Sequence, residues 1–320
     1  MQQAQCLRAV RRSLRLCSLR LLWHTGFCLK ITPWPCRHGA MGRKDEMKTD
    51  FIQANEVKLQ YFEHGEGPEV LVLVHGYQSS GRIWQLMQEA LDPARFRTIA
   101  ISNRGAGDSD RTALESDYSV ESFARDLDAA VQALHLGEFT LVGHSMGGAT
   151  VTQFALDHPE CLKALVLLDP APLGGRELPV NWQQQIREDF ATGRRRDNMA
   201  MDTPNIPEAF RQALAADVAR NPIERLLGGR RSMAALRLRQ RLHELPMPVF
   251  LIGGDNDTTV GVHQMLAEYL AMPEERRFLH IFHGVGHSPN VQVAAQLASL
   301  LDRFVCQTVS QAAAAEGSVR

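Results

Sequence analysis

With 320 residues, 44% of them hydrophobic and 22% charged, the chain has enough apolar material for a large core. That balance excludes an intrinsically disordered chain, a collagen, a coiled coil and a disulfide-built miniprotein. No apolar run approaches the ~20 residues of a bilayer-crossing helix, which argues against a membrane span. The formal net charge of −1 joins two unlike segments: residues 1–44 carry nine basic groups and no acid, leaving 26 basic against 36 acidic groups in the rest.

Three readings fit residues 1–46, a basic segment expected to be disordered or to serve targeting. Arginine-rich, acid-free sequence with scattered leucines has the composition of a mitochondrial transit peptide. The stretch also fits an extension ahead of a start at Met41 or Met47, or a nucleic-acid- or membrane-binding arm. A secretory signal fits less well, because arginines interrupt each apolar stretch. Four of the six cysteines fall here (Cys6, Cys17, Cys28 and Cys36), and no C-x-x-C pair occurs. A reducing, cytoplasmic setting is therefore expected, or a mitochondrial one if the segment is a transit peptide.

From residue 50 onward, strand and helix signals alternate. Phe51–Ala54 and Lys58–Glu63 read as paired short strands, and Val70–Val74 as a buried parallel strand. A helix over Ile83–Leu91 and a strand over Phe96–Ile101 follow. Val120–Leu136 has helical periodicity, with Ser119 and Ser122 as possible caps. Next come strand Phe139–Val142, helix Ala149–Leu156 and strand Ala164–Leu168. The rhythm then breaks: residues 173–245 offer no good strand, three helical stretches (Trp182–Phe190, Glu208–Ala219 and Ser232–His243) and 13 arginines against 9 acids. Alternation resumes with strand Val249–Ile252, helix Val262–Leu270, strand Arg277–Phe282 and helix Val291–Val305. The pattern predicts an α/β fold with a mostly parallel, twisted sheet over 47–172 and 246–308, a helical cap inserted over 173–245, and a flexible tail over 309–320.

Gly143-His-Ser145-Met-Gly147 has the form G-x-S-x-G and sits between a predicted strand and a predicted helix. A serine on such an elbow is held in a strained turn that exposes its hydroxyl, and the flanking glycines avoid collisions with neighbouring backbone. The hydroxyl needs a base, and the base an orienting acid, in the chain order serine, acid, histidine. Asp257 and Asp255 follow the strand Val249–Ile252, and His287 follows the strand ending at Phe282, where ligands gather in parallel sheets. His287 reads as base and Asp257 as its acid, with Asp255 the alternative acid. The backbone N–H groups of Met146 and of Tyr77, in the loop His75-Gly76-Tyr77, are the expected oxyanion donors. The spacing of His283 and His287 could suggest a metal site, but the glycines between them argue against a helix, and none is expected.

These residues together resemble the α/β-hydrolase family, in its serine-nucleophile branch with a helical cap. The resemblance rests on His75-Gly76, Asn103-Arg-Gly-Ala-Gly-Asp-Ser109, Gly143-His-Ser-Met-Gly-Gly148, Gly254-Asp-Asn-Asp257 and Gly286-His287, within residues 50–307. It implies the same triad: Ser145, Asp257 and His287. Asn103 stands where the family often has Asp, and Ala106 where a larger residue is commoner. Serine at 145 argues against the family's dehalogenases and epoxide hydrolases, which carry Asp there.

The expected activity is hydrolysis of a small carboxylic ester or related acyl substrate through an acyl-enzyme, with no cofactor. C–C bond (β-diketone type) hydrolysis, lactone hydrolysis and peracid formation would use the same triad, and a non-catalytic ligand-binding relative is the alternative of another class. The expected partner is a small molecule, not nucleic acid or membrane. The arginines of the insert, including Arg194-Arg-Arg196 and Arg230-Arg231, either bind a substrate carboxylate or cover a solvent face.

Overall fold

Along Leu71–Val74 every residue is fully buried, and alternate side chains enter two different cores. Val72 and Val74 pack in one apolar cluster with Phe123, Leu127, Val151 and Phe154. Leu71 and Leu73 face the other, with Trp84, Leu297, Leu301 and Phe304. A strand covered on both faces must be apolar throughout, which is why it reads as a continuous run rather than an alternation. The computed structural model describes residues 47–193, 203–204 and 206–317. The basic segment 1–46 and Arg194–Arg196 lie outside them.

Eight strands form one sheet: β1 (Lys48–Ala54), β2 (Val57–His64), β3 (Glu69–Val74), β4 (Phe96–Ile101), β5 (Phe139–His144), β6 (Leu162–Leu168), β7 (Val249–Gly254) and β8 (Arg277–Phe282). Their order is β1-β2-β4-β3-β5-β6-β7-β8. β1 and β2 pair antiparallel, as do β2 and β4; the other neighbours are parallel. All the parallel strands therefore end on one side of the sheet, where the loops after β3, β5, β6, β7 and β8 meet.

Between the strands lie α1 (Gln85–Gln88), α2 (Val120–Ala133) and α3 (Met146–Asp157); α4 (Trp182–Ala191), α5 (Glu208–Ala219) and α6 (Ile223–Ala235) form the insert between β6 and β7. The chain closes with α7 (Val262–Leu270), α8 (Pro289–Gln292) and α9 (Ala294–Gly317). Ser119 caps α2, its side chain accepting the Ser122 N–H.

The structure departs from the sequence expectations in four elements. The helix expected over Ile83–Leu91 is one 3₁₀ turn, Gly81–Trp84, followed by the single turn of α1. The helix expected over Ser232–His243 is instead α6, which ends at Ala235, and a separate 3₁₀ segment, Arg239–Glu244. Gly228 and Gly229 lie inside α6, where a Cβ at Gly228 would sit 2.1 Å from the Glu115 carbonyl oxygen. The helix expected over Val291–Val305 breaks at Val293, whose φ of −135° separates α8 from α9. Finally, α9 continues to Gly317 where a flexible tail is expected from 309; the alanine run 312–315 is strongly helix-forming.

The insert is tied to the sheet's C-terminal loops by buried polar contacts. Asp217 of α5 accepts from Ser80 Oγ at 2.7 Å, Arg82 Nε at 2.9 Å and Arg220 Nη2 at 2.5 Å. The Tyr77 hydroxyl donates to the Leu226 carbonyl of α6 at 2.6 Å. No helix among the described residues is long and apolar enough to cross a membrane.

Candidate active site

Ser145 is the single residue between β5 and α3, with φ +54° and ψ −118°. This is a costly conformation for a side-chain-bearing residue, retained where surrounding structure enforces it. Its N–H donates to the Leu168 carbonyl, and its own carbonyl accepts from Gly148 and Ala171, so both β6 and α3 hold it. The two motif glycines supply space: a Cβ at Gly143 would lie 2.4 Å from the Gly147 carbonyl oxygen, and one at Gly147 2.3 Å from that of Val74.

His287, in the loop after β8, has Nε2 2.9 Å from Ser145 Oγ and Nδ1 2.7 Å from Asp257 Oδ2. With the proton on Nδ1, the imidazole donates to Asp257 and accepts from the serine hydroxyl, the arrangement a general base requires. Asp257 lies in the turn after β7, and its Oδ1 accepts the N–H groups of Thr259 at 2.7 Å and Val260 at 3.1 Å. Burial opposes charge on this carboxyl, but the His287 hydrogen bond and charge, with those two N–H groups, outweigh it and hold its pKa below the ordinary carboxylate value.

Asp255, the alternative acid, turns away. It accepts from the exposed His283 ring at 2.7 Å and from the Gly284 N–H at 2.6 Å. The contact to His287 is made by Asp257. The same geometry ties His283 and His287 each to its own acid.

The loop after β3 approaches the serine closely: a Cβ on Gly76 would be 2.9 Å from Ser145 Cβ. His75 stiffens this loop, its Nδ1–H donating to the Gly76 carbonyl at 2.8 Å and its Nε2 accepting the Asn103 N–H at 3.0 Å. Burial, reinforced by the nearby Arg225 cation, pushes its pKa well below the usual histidine value. Asn103 thus enters the site region through its backbone. Arg104 beside it forms two 2.6 Å bonds to Asp126 that fix the following turn.

His144 packs between Trp84 and His287, with a ring separation of 4.9 Å to the latter. Its Nε2–H donates to the His287 carbonyl at 2.6 Å. Burial and the neighbouring His287 lower its pKa to about 3, so it stays neutral and orients the loop that carries His287.

One acidic residue escaped the sequence reading. Asp169, which follows β6 directly, is fully buried with φ +40°. The signal available was its position at a strand's C-terminal end beside the other loops, without any spacing motif to mark it. An open cleft lies between the insert and the loop after β3, lined by Tyr77, Gln78, Trp182, Phe190, Leu226 and Arg230. Arg231 pairs with Glu115 at 2.9 Å and lies over the Trp182 ring.

Comparison with known proteins agrees with this architecture. The family model described as the alpha/beta hydrolase fold matches residues 69–292, most of the chain. The chain belongs to the α/β-hydrolase family. The hydrolase is 30% identical over 261 residues to a pimeloyl-(acyl-carrier protein) methyl ester esterase from Vibrio atlanticus, a match covering 75% of this chain and 95% of that protein. It is 28% identical over 228 residues to a 2-(acetamidomethylene)succinate hydrolase from Mesorhizobium japonicum, covering 65% and 78% of the two chains. Its fold matches that of a thermophilic esterase from Thermogutta terrifontis with a TM-score of 0.67 at 21% identity, over 82% of this chain and 99% of that one. A bromoperoxidase from Bacillus anthracis matches with a TM-score of 0.69 at 22% identity, over 81% and 99%. The protein is a hydrolase with an eight-stranded, mostly parallel sheet and a helical insert.

Proposed function

We propose that the protein is a serine hydrolase that cleaves a small carboxylic ester or related acyl substrate through an acyl-enzyme. The observation that carries this reading is the chain of contacts from Ser145 Oγ through His287 to Asp257, at 2.9 and 2.7 Å, built on a strained strand-to-helix elbow. His287 Nε2 takes the hydroxyl proton as Ser145 Oγ bonds to the substrate carbonyl carbon. Asp257 steadies the imidazolium that forms. The negative charge on the carbonyl oxygen is received by the N–H groups of Tyr77 and Met146. Met146 opens α3, where the helix has no carbonyl to receive its N–H and the helix dipole favours negative charge.

Collapse of this intermediate breaks the bond to the alcohol, which leaves with the proton from His287. Water then enters, gives its proton to His287, and attacks the acyl carbon; a second collapse releases the acid and restores Ser145. The insert limits the size of the acyl or alcohol group and screens the site from bulk water. The esterase and hydrolase names among the similar proteins support an ester or amide-like bond as the target.

The test is a panel of p-nitrophenyl esters of increasing acyl length, run with the native protein and with Ser145→Ala. Turnover of at least one ester, lost by roughly 10⁴-fold or more in the variant, is the expected result. Retention of most activity by a purified, folded variant would overturn the assignment. C–C, lactone and peracid chemistry are separated from ester cleavage by the substrates turned over.

A further inference from the structure

Asp169 has no place in the steps above, yet it is built into the site with unusual care. Its carboxyl is fully buried in a positive-φ turn at the end of β6. Space for it comes from Gly253 of β7, where a Cβ would lie 2.6 Å from Asp169 Oδ1 and 2.3 Å from Met265 Sδ of α7. The Gly254 N–H donates to Oδ1 at 3.1 Å, whereas Oδ2 has no N–H or hydroxyl donor. Gly254 links the two acids, since its carbonyl accepts the Asp257 N–H at 3.4 Å, and at this shared corner the Asp257 carboxyl bears on that of Asp169.

Two ionised carboxylates can only accept, so contact between them becomes a hydrogen bond only if one carries a proton. The donors around each decide which. Asp257 receives three, from His287, Thr259 and Val260, all of which stabilise its charge. Asp169 receives one and has no cation facing it. Around the pair, β7 contributes Gly253, Gly254 and the Ile252 carbonyl, which accepts the Asp169 N–H at 2.8 Å, and α7 contributes Met265. Farther along α7, Glu268 is neutralised by Arg239 at 2.7 and 2.9 Å. His287 lies beyond Asp257. The buried His144, which feels the Asp257 charge, stays neutral.

We propose that Asp169 is a positioning residue that carries a proton and donates it in a hydrogen bond to the Asp257 carboxylate, so that the acid of the site is a proton-sharing pair. The inference rests on the proposed triad. A neutral Asp169 gives Asp257 another donor without adding charge, holding the carboxylate where His287 needs it. Burial, followed by repulsion from Asp257, raises the Asp169 pKa well above the ordinary value, which accords with that state. Loss of this proton at alkaline pH would set two negative charges side by side, pull Asp257 off its line to His287, and lower kcat rather than raise KM.

Asp169→Asn tests this, because the amide keeps one acceptor for Gly254 and one donor for Asp257 but cannot ionise. Its kcat at neutral pH should remain within about threefold of native, and the alkaline fall of kcat expected of the native protein should be absent. Asp169→Ala, which removes the donor, should lower kcat about tenfold or more with little change in KM. Infrared difference spectroscopy reads the proton directly: a protonated-carboxyl C=O band present in the native protein at neutral pH should be absent from Asp169→Asn. A missing native band, a band that survives the substitution, or identical alkaline limbs in the native and Asn proteins would overturn the proposal. If the Ala variant does not fold, the Asn variant and the infrared band carry the test. The band does not depend on turnover, so its loss and a silent Ser145→Ala result are separate failures.

Discussion

Asp257 and His287 meet across 2.7 Å although they follow different strands and lie 30 residues apart in the chain. The contact exists because β7 and β8 are parallel neighbours, with Gly254 opposite Phe282 at the ends from which both loops leave. The same loops also carry a second acid–histidine pair, Asp255 with His283, whose imidazole faces solvent. Two pairs of identical chemistry thus differ in burial and in access to Ser145.

That difference predicts unequal mutational costs. Asp257→Asn should reduce kcat by about 10³- to 10⁴-fold, because an amide favours the wrong imidazole tautomer. Asp255→Asn should change kcat by no more than about twofold, since an exposed pair contributes little. Steady-state kinetics on one ester, with circular dichroism to verify folding, compares them; equal losses would reject the division of roles.

The elbow makes a stability prediction. In Gly147→Ala the new methyl would stand 2.3 Å from the Val74 carbonyl oxygen, against β3 backbone that is locked in the sheet. Overpacking of this kind costs about 1–3 kcal/mol, and displacement of Ser145 should abolish most activity. Chemical denaturation and ester turnover read the two effects. A variant with native stability and turnover would show that the elbow is looser than described.

Asp217 holds the insert to the loop carrying Ser80 and Arg82. Asp217→Ala removes three charge-assisted contacts from a buried acid and should cost about 2–4 kcal/mol. Tyr77→Phe removes the 2.6 Å bond to Leu226, with an expected cost of about 1 kcal/mol, and leaves the Tyr77 N–H intact. Its effect on turnover should therefore fall mainly on KM. Thermal melts and kinetics of both variants provide the check.

Buried neutral histidines set the acid side of the stability profile. His144, with its pKa lowered to about 3 by burial and His287, stays unprotonated in the fold, whereas the unfolded chain takes up the proton below about 6.5. The unfolded state then binds more protons, so stability falls as pH drops from about 6.5 toward 3, by about 1.4 kcal/mol per pH unit for each such histidine. His75 behaves in the same sense. Denaturation across this range should show a shallower slope in His144→Gln; parallel slopes would contradict the assignment.

Much of this architecture was legible in the residues. Strands covered on both faces appear as apolar runs, and Phe96–Ile101, Arg277–Phe282, Glu208–Ala219 and Val262–Leu270 have the expected bounds. Ser145 stands out through paired glycines that the elbow requires. Asp255 and Asp257 could be ranked but not separated, because both occupy one turn and only the fold decides which meets His287. Asp169 carried no local pattern; its partner lies far along the chain and is joined to it through the β6–β7 pairing. The start of α6 was obscured because Gly228 and Gly229 serve close packing against Glu115 and Tyr77 rather than helix formation.

The most direct test of the central claim is covalent trapping. Incubation with a fluorophosphonate, followed by peptide mass spectrometry, should place a single phosphonyl adduct on Ser145, formed in step with loss of ester turnover and strongly slowed in His287→Ala. Full inactivation with the adduct on another residue, or undiminished turnover in a protein fully labelled at Ser145, would contradict the account.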